Sequence, residues 1–453
     1  MDDAGDGVAT PTDERHSPMT EQRCPITLDR SGKDVQGELL KLREQHGRVA
    51  RVELPDGVEA WSVLGHDLVK QVLTDARFQK DPRRHWPYFI DGHIPPDWQM
   101  LNWVVMDNMT TRDGEDHARL RRLISNAFAP RAVAAAQPLI EQTADKLVER
   151  LAQLPTDVPV DIKKLFAFPF PAEVICALFG VPEADREAAL YGGVVNAATD
   201  ITGDEVVASI DQYHETMMHL AELKKDEPGD DLTTLLLQAR DEDGSGLSDD
   251  ELVGTLHLML GAGSETVMNL LGHIIVTLLT HPEQRALVED GVVSWDDVIE
   301  EGLRNECPVA NLPFRFATED VELDGVMIKK GEPVMVAFAS VGRDPELHGP
   351  TTHDFDARRE DKTHLSFGYG RHFCIGSTFA RLEARIALPR LFERFPAMTL
   401  AAPRADLPSQ GTFIMNGYGA VPVYLGGPPA EPDAETGGAE AGARRRLDPV
   451  AAR

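Results

Sequence analysis

Residues 367–376 read FGYGRHFCIG, and a stretch with the apolar spacing of a helix follows them at once, from about Ser377 to Arg394. Cys374 therefore lies at the predicted start of a helix, where free backbone N–H groups and the helix dipole stabilise a thiolate. The neighbouring glycines permit tight turns and the close approach of a planar ligand. A lone cysteine is usually a small buried hydrophobic residue, but this position favours a site that keeps sulfur ionised.

Two further patterns precede this stretch along the chain. A long helix is predicted to open at the capping box Ser248-Asp-Asp-Glu251 and to run to about Thr280, and it contains the run Ala262-Gly-Ser-Glu-Thr266. Because an interior glycine costs about 1 kcal/mol relative to alanine, this run indicates either close helix packing or a functional groove. The next predicted helix carries Glu301 and Arg304, a spacing that by itself is typical of a surface ion pair.

The rest of the chain is predicted to be mostly α with a smaller β part. RVARVEL and EAWSVLG, on either side of Pro55-Asp-Gly57, alternate in hydrophobicity and predict a strand pair, and residues 315–338 predict a second β region. Residues 80–111 hold three of the five tryptophans. Such a long aromatic loop indicates either a lid over an apolar cavity or ordinary packing.

Composition narrows the class of protein. The 453 residues include 75 acidic and 45 basic side chains, a formal net charge of −30, which argues against nucleic acid or an anionic membrane as a partner. The four cysteines form no C-x-x-C pair, which argues against a zinc site or a disulfide framework. With no export signal and no apolar run of about 20 residues, we expect a soluble cytoplasmic protein. Disordered segments are predicted at 1–22 and 427–453, around one folded domain at 23–426.

The spacing F-x-x-G-x-[RH]-x-C-x-G at residues 367–376 resembles the haem-thiolate loop of the cytochrome P-450 family, and the other patterns occur in that family's order. The resemblance implies a single-domain, triangular helical prism in which haem lies between a long distal helix and the cysteine loop. It also implies that Cys374 is the axial ligand of a haem b iron. Phe367 would pack near the sulfur, and Gly368 and Gly376 would border the haem.

The small-residue run in the long helix is similar to the family's oxygen-binding groove. On that resemblance, Ala262 and Gly263 lie against the haem and leave room for dioxygen. Glu265 and Thr266 would then pass protons to the bound oxygen. These two residues are the catalytic candidates.

The resemblance implies three further sets of residues. A structural network behind the haem would consist of Glu301, Arg304 and Arg359. The haem propionates would be met by His117, Arg121, Arg315 and His372. Substrate contacts would come from the region between Asp185 and Met218 and from Trp98, Leu101, Val104, Leu258, Gly261, Val309, Ala310, Asn311, Leu312, Phe413 and Ile414.

The implied function is that of a monooxygenase that hydroxylates or epoxidises an apolar substrate such as a steroid, macrolide or other polyketide. Because one haem domain occupies nearly all of the chain, the electrons would come from a separate ferredoxin and ferredoxin reductase, and we expect a monomer. Oxidative coupling, desaturation or peroxygenase chemistry shares every motif and stays open as an alternative. A haem sensor is disfavoured, since it would not need the pair Glu265-Thr266.

A docking face for the ferredoxin is predicted on the cysteine side of the protein. Arg119, Arg122, Arg371 and Arg381 would form a local basic patch there despite the negative net charge. Reversal of the charge at Arg122 would then mainly slow association with an acidic ferredoxin.

Overall fold

The computed structural model describes residues 24–428, apart from the side chains of residues 192–197. The segments predicted to be disordered, 1–22 and nearly all of 427–453, lie outside the described residues. The described part of the chain is mostly helical and has a smaller β-sheet part, as predicted.

The helices vary from single turns to the nine-turn helix that crosses the molecule. In chain order they are α1 (Val35–His46), α2 (His66–Thr74), α3 (Pro82–His85), α4 (Pro87–Ile90), α5 (Asn102–Val105), α6 (Gly114–Ser125), α7 (Pro130–Ala152), α8 (Pro169–Leu178), α9 (Arg186–Ala197), α10 (Gly203–Asp226), α11 (Leu232–Gln238), α12 (Asp249–Thr280), α13 (Pro282–Glu289), α14 (Trp295–Asn305), α15 (Phe338–Gly342), α16 (Pro345–His348) and α17 (Ser377–Arg394).

The strands within residues 24–428 form three sheets. They are β1 (Ile26–Thr27), β2 (Val49–Glu53), β3 (Glu59–Val63), β4 (Phe78–Gln79), β5 (Val160–Asp161), β6 (Leu312–Ala317), β7 (Val321–Leu323), β8 (Val326–Ile328), β9 (Pro333–Val336), β10 (Thr399–Leu400) and β11 (Pro422–Tyr424). The largest sheet has the order β1-β2-β3-β9-β6-β4, a second has β10-β11-β5, and β7 pairs with β8.

The first predicted strand pair is present as β2 and β3. They run antiparallel with Val49 opposite Val63 and Glu53 opposite Glu59. The turn between them places Asp56 at φ 61°, the left-handed region that aspartate tolerates better than most residues. The alternating sequence thus determined the register, because a slip by one residue would expose the apolar face.

α12 is the central helix, and it begins and ends where the sequence predicts. Ser248 Oγ accepts a hydrogen bond from the Glu251 backbone N–H, and the Glu251 carboxylate accepts one from the Ser248 N–H. Among the described residues, α12 alone is long and apolar enough to cross a membrane, and 78% of its most apolar stretch is buried inside the protein. Its hydrophobicity therefore reflects a position in the protein core.

Residues 80–111 divide into two halves with different roles. The first half is core packing: the Trp86 ring lies 5.9 Å from that of Trp98 and 5.3 Å from that of Phe316. The second half contributes Trp103, Met106 and Met109 to a cavity wall. The sequence left two interpretations open for this segment. Ordinary packing applies to its first half, and a position against the cavity applies to its second half.

Candidate active site

A cavity of about 350 Å³ lies between α12 and the segment 366–376. One wall is the middle of α12, and the opposite wall contains Cys374 and the first turn of α17. Side chains from 102–111 and 308–315 close the remaining sides, and most of the surface of the cavity is apolar. This arrangement suits a flat apolar ligand that is held from both faces.

Cys374 is exposed to this cavity although it lies deep below the protein surface. Its backbone N–H donates to the Phe367 carbonyl over 2.8 Å, and the backbone N–H groups of Gly376 and Ser377 point to its sulfur. Burial raises the pKa of the Cys374 thiol, while these N–H groups and the Arg121 guanidinium oppose that rise. A metal cation bound to the sulfur would favour the thiolate instead, because a thiol that coordinates a metal loses its proton.

The cysteine loop is supported from behind by α14 and α17. The Arg381 guanidinium lies 4.4 Å from the Phe367 ring centroid and pairs with Glu300, whose Oε2 is 2.9 Å from Nη2. Gly368 and Gly370 adopt φ values of 71° and 74°, which side chains rarely permit. The two glycines therefore make the turn that presents the cysteine.

A cluster of cationic and imidazole groups lies beside the cavity. Arg121, Arg315 and His372 line it, and the His117 ring packs against the His372 ring with 4.1 Å between centroids. Burial, followed by the Arg315 charge, lowers the pKa of Lys80 to about 7 and lowers that of His372 strongly. Lys80 was not predicted from the sequence; it joins the cluster through its position at the end of β4.

This cluster fits a ligand with two carboxylates, such as the haem that the resemblance implies. Within residues 24–428, the Arg121 and Arg315 side chains have no hydrogen bond or ion pair, and Nε2 of both His117 and His372 is buried without a partner. Buried cations and imidazoles without partners are costly. Two propionates opposite these groups would satisfy them, so the donor set agrees with haem.

Glu265 and Thr266 both contribute to the cavity wall formed by α12. The Thr266 hydroxyl donates to the Ala262 carbonyl over 2.9 Å, and Glu265 Oε1 accepts a hydrogen bond from Gln410 Nε2. Burial raises the pKa of Glu265 to about 8, against the opposing effects of Lys163 and Gln410. Glu265 is therefore a carboxyl group that holds a proton near neutral pH.

Ala262 and Gly263 differ in what their small size provides. Ala262 is exposed to the cavity, as predicted for a groove residue. A Cβ on Gly263 would lie 2.8 Å from Cδ1 of Ile175 in α8. Gly263 also lines the cavity. The run 262–266 therefore contributes both to close helix packing and to the groove.

The structure brings Glu301, Arg304 and Arg359 together in one network, in which Glu301 and Arg304 are fully buried and Arg359 is partly exposed. Arg304 makes two hydrogen bonds of 2.7 Å to the Glu301 carboxylate, and Arg359 Nε lies 3.3 Å from Glu301 Oε1. Arg304 also donates to the carbonyls of Gly342 and Thr352. This network ties α14 to α15 and to the loop 351–359.

The predicted substrate contacts divide into two groups. Leu258, Gly261, Val309 and Leu312 line the cavity. The others lie outside the cavity wall formed by the described residues, namely Trp98, Leu101, Val104, Ala310, Asn311, Phe413, Ile414 and the described side chains of the region 185–218.

The reason for that difference is tertiary packing. Trp98 is fully buried in the core, and its indole N–H donates to the Pro55 carbonyl over 3.0 Å. The Asn311 amide donates to the Phe413 carbonyl over 2.7 Å and so joins two chain segments. Met415, one residue beyond the predicted pair Phe413 and Ile414, lines the cavity instead.

The predicted basic patch is mostly neutralised by neighbouring acids. Arg119 pairs with Glu251, Arg122 with Asp241 over 2.9 Å, and Arg381 with Glu300. The acids come from distant parts of the chain, so their pairing was not visible in the sequence. Arg371 is exposed and, within residues 24–428, pairs with no carboxylate.

A further carboxyl group in the cavity wall was missed by the sequence reasoning. Glu383 in α17 lines the cavity, is 3% exposed, and its Oε2 has no hydrogen-bond partner. Burial raises the pKa of Glu383 well above its usual range. The only sequence signal was its spacing from Ser377 along an amphipathic helix, which does not separate it from surface glutamates.

Comparisons with known proteins agree with this geometry. The family model for Cytochrome P450 matches residues 26–292 and 295–415. The 2-hydroxy-5-methyl-1-naphthoate 7-hydroxylase of Streptomyces carzinostaticus is 50% identical over 404 residues, which cover 89% of this chain and 98% of the relative. The 6-deoxyerythronolide B hydroxylase of Saccharopolyspora erythraea is 36% identical over 377 residues, covering 82% of this chain and 91% of the relative.

A solved structure shares the fold. CYP154C4 from Streptomyces sp. W2061 superposes with a TM-score of 0.86 at 39% sequence identity, and the match covers 90% of this chain and 99% of that one.

Proposed function

This chain belongs to the cytochrome P450 family, and on that premise we propose that it hydroxylates an apolar organic substrate of the polyketide, macrolide or steroid type. The chain is an oxidoreductase, a P450 monooxygenase whose family carries a haem iron. We take the cofactor to be haem b and residues 23–426 to be the haem domain. The observation that carries the proposal is the opposition of Cys374 and the Ala262–Thr266 run across one cavity.

The residues around the cavity have distinct roles in holding the haem. Cys374 would bind the iron, and Arg121, Arg315 and His372 would meet the propionates, with His117 behind His372. Once bound, haem supplies the oxidising power to attack an unactivated C–H bond with dioxygen. The mainly apolar walls favour an apolar substrate over water in the cavity.

Proton delivery is the role of the α12 pair. Glu265 holds a proton near neutral pH because burial raises its pKa to about 8. Among the residues that the structure describes, the Thr266 hydroxyl is bonded only to the carbonyl of Ala262 in its own helix, so it can rotate to accept and donate a hydrogen bond within the cavity. A proton supplied at this wall directs oxygen reduction towards a product instead of hydrogen peroxide.

The substrate class is drawn from the relatives together with the cavity lining. The 50% identical relative is named for hydroxylation of a methylated hydroxynaphthoate, and a second relative for hydroxylation of a deoxyerythronolide. Leu258, Val309, Leu312 and Met415 give this cavity an apolar wall that suits such ring systems. An aromatic polyketide acid is the first compound to test.

Electron supply and cellular setting follow from the same premise. We propose that a ferredoxin and its NAD(P)H-dependent reductase supply electrons to a cytoplasmic monomer. The exposed Arg371, beside the cysteine loop, offers a positive charge to an acidic partner.

The first test is the absorption spectrum of the reduced, carbon monoxide-bound protein. We expect the thiolate-type band in the native protein and its loss in Cys374→Ser, because the serine oxygen cannot replace the sulfur. Cys307→Ser is the matched control, since Cys307 is buried and its Sγ bonds the Val309 carbonyl. Retention of the native spectrum and activity by Cys374→Ser would contradict the proposal.

The second test identifies the reaction outcome with isotopically labelled dioxygen. Hydroxylation or epoxidation places one labelled atom in the product. Oxidative coupling or desaturation gives an oxidised product without label, and peroxygenase chemistry takes its oxygen from added peroxide. An unlabelled product would therefore replace hydroxylation by one of these reactions.

Replacing Thr266 by alanine tests the proton route. Thr266→Ala should bind haem and substrate normally but divert reducing equivalents to hydrogen peroxide, lowering the yield of product per electron pair severalfold. Ser264→Ala is the control, because the Ser264 hydroxyl donates to the Leu260 carbonyl away from the cavity. Equal peroxide release by the two variants would exclude Thr266 from the route.

A further inference from the structure

The face of α12 that carries Glu265 packs against the chain segment 408–419. Gln410 Nε2 from this segment donates a hydrogen bond to Glu265 Oε1. Lys163 approaches the same carboxyl group from another side, and its Nζ donates to the Tyr418 carbonyl over 2.5 Å. The segment therefore holds both polar neighbours of a carboxyl group that is only 5% exposed.

The backbone of this segment fixes the position of Gln410. The Gln410 N–H donates to the Gly417 carbonyl over 3.1 Å, and Gly419 N–H donates to the Pro408 carbonyl over 2.6 Å. A Cβ on Gly417 would overlap the amide oxygens of Gln410 and Asn269. Glycine at 417 is thus needed for the Gln410 side chain to reach α12.

The hydrogen bond to Gln410 keeps the acid apart from the neighbouring alcohol. Consecutive helix residues do not face each other, and the Thr266 hydroxyl is bonded to the Ala262 carbonyl. Among the described residues, Glu265 and Thr266 make no hydrogen bond to each other. A proton from Glu265 therefore enters the cavity without a direct hydrogen bond between the Glu265 carboxyl group and the Thr266 hydroxyl.

We propose that Gln410 is a positioning residue that holds the Glu265 carboxyl against segment 408–419 and so directs proton delivery into the cavity. This inference rests on the proposed role of Glu265. The Glu265 O–H bond breaks as the proton passes to a hydroxyl or water oxygen in the cavity, and that oxygen passes one of its own protons on to the dioxygen that is being reduced. A hydronium ion from solvent then returns a proton to the Glu265 carboxylate and is left as water. Gln410 itself keeps its protons throughout.

The experiment replaces the amide with an apolar group of similar size. Gln410→Leu removes the donor that stabilises the carboxylate, so the pKa of Glu265 should rise further. Infrared titration of the haem-loaded protein measures it directly, with the Glu265 carboxyl band identified by its loss in Glu265→Gln. The other charged groups near this site are Lys163 and, beyond it, Asp161. Both of these residues are retained in Gln410→Leu.

Ser409→Ala is the matched control within the same segment. Its hydroxyl donates to the Ser31 carbonyl and touches neither Gln410 nor Glu265. We expect the Glu265 titration to move up by at least half a pH unit in Gln410→Leu and to stay in place in Ser409→Ala. The product formed per electron pair should fall at least threefold in Gln410→Leu alone.

Two results would overturn the inference. An unchanged Glu265 titration in Gln410→Leu means that the hydrogen bond does not hold the acid, and an unchanged product yield means that the bond does not direct proton delivery. If Gln410→Leu does not fold, Gln410→Glu is measured instead. Two neighbouring carboxyl groups that share one proton titrate in two steps, so we expect two steps in this variant. A single step at the unshifted pH would also contradict the inference. The titration does not require catalytic turnover. A failure of the proposed monooxygenase function can therefore be distinguished from a failure of this inference.

Discussion

Glu383 shows how a single residue can lie in a core at the expense of stability. Its carboxyl group is buried in α17 with one oxygen unpartnered, and burial raises its pKa well above the usual range. Below the usual carboxyl pKa, the folded and unfolded states both hold the proton. Above it, only the unfolded state releases the proton, so the native state loses stability as the pH rises towards the folded pKa.

Glu383→Gln should therefore match the native protein in stability near pH 4.5 and exceed it at pH 8. The difference should grow by up to about 1.4 kcal/mol per pH unit, the free energy of one pKa unit. Urea unfolding at several pH values measures it. Glu393→Gln, at an exposed position of the same helix, is the control, and a parallel pH dependence in both variants would contradict the argument.

At the scale of elements, the glycines of α12 determine how closely neighbouring segments can pack against this helix. A Cβ on Gly254 would overlap the carbonyl oxygen of Asp107, so the segment that follows α5 lies directly on the helix backbone. A Cβ on Gly272, six residues beyond Thr266, would meet nothing within 4 Å. Two glycines of one helix thus differ in the packing that they permit.

Gly254→Ala and Gly272→Ala should consequently change stability in opposite directions. Gly254→Ala forces the backbones apart and should cost about 1–3 kcal/mol, and it should also weaken binding of cavity ligands because Met106 and Met109 would move. Gly272→Ala should stabilise the protein by up to about 1 kcal/mol through helix propensity. Urea unfolding and ligand titration check both variants; equal effects would show that Asp107 does not contact α12 closely.

At the scale of the whole molecule, the net charge of −30 repels an acidic redox partner unless local charges offset it. Arg122 contributes little to such an offset, because Asp241 accepts two hydrogen bonds from its guanidinium. Arg371 is exposed beside the cysteine loop, and Lys70 lies 4.5 Å over the Tyr369 ring nearby. These two cations are the better candidates for steering.

Arg371→Glu should slow association with an acidic ferredoxin by roughly 10-fold at low salt, with the effect declining as ionic strength rises. Arg122→Glu should slow it less, because Asp241 holds the Arg122 guanidinium and so keeps it from pairing with a carboxylate of the partner. Stopped-flow association rates at several salt concentrations make the comparison. A larger effect at Arg122 would restore the docking face that the sequence alone predicted.

The sequence by itself determined the features that depend on local spacing. Cys374 at a helix start, the capping box of α12 and the β2–β3 hairpin all follow from residues within a few positions of each other. The family resemblance, carried by the same local patterns, added the fold and the order of the site residues. The secondary structure followed because local backbone preferences and apolar periodicity agreed with the final packing.

Only the tertiary structure decided which side chains reach the cavity and which charges remain free. Trp98 turned into the core, Glu383 turned into the cavity wall, and Gln410 reached Glu265 across 145 positions of sequence. Asp241 neutralised Arg122 across 119 positions. Such pairings depend on how whole elements pack, and since spacing along one chain segment carries no information about a distant one, they appear only when the chain is folded.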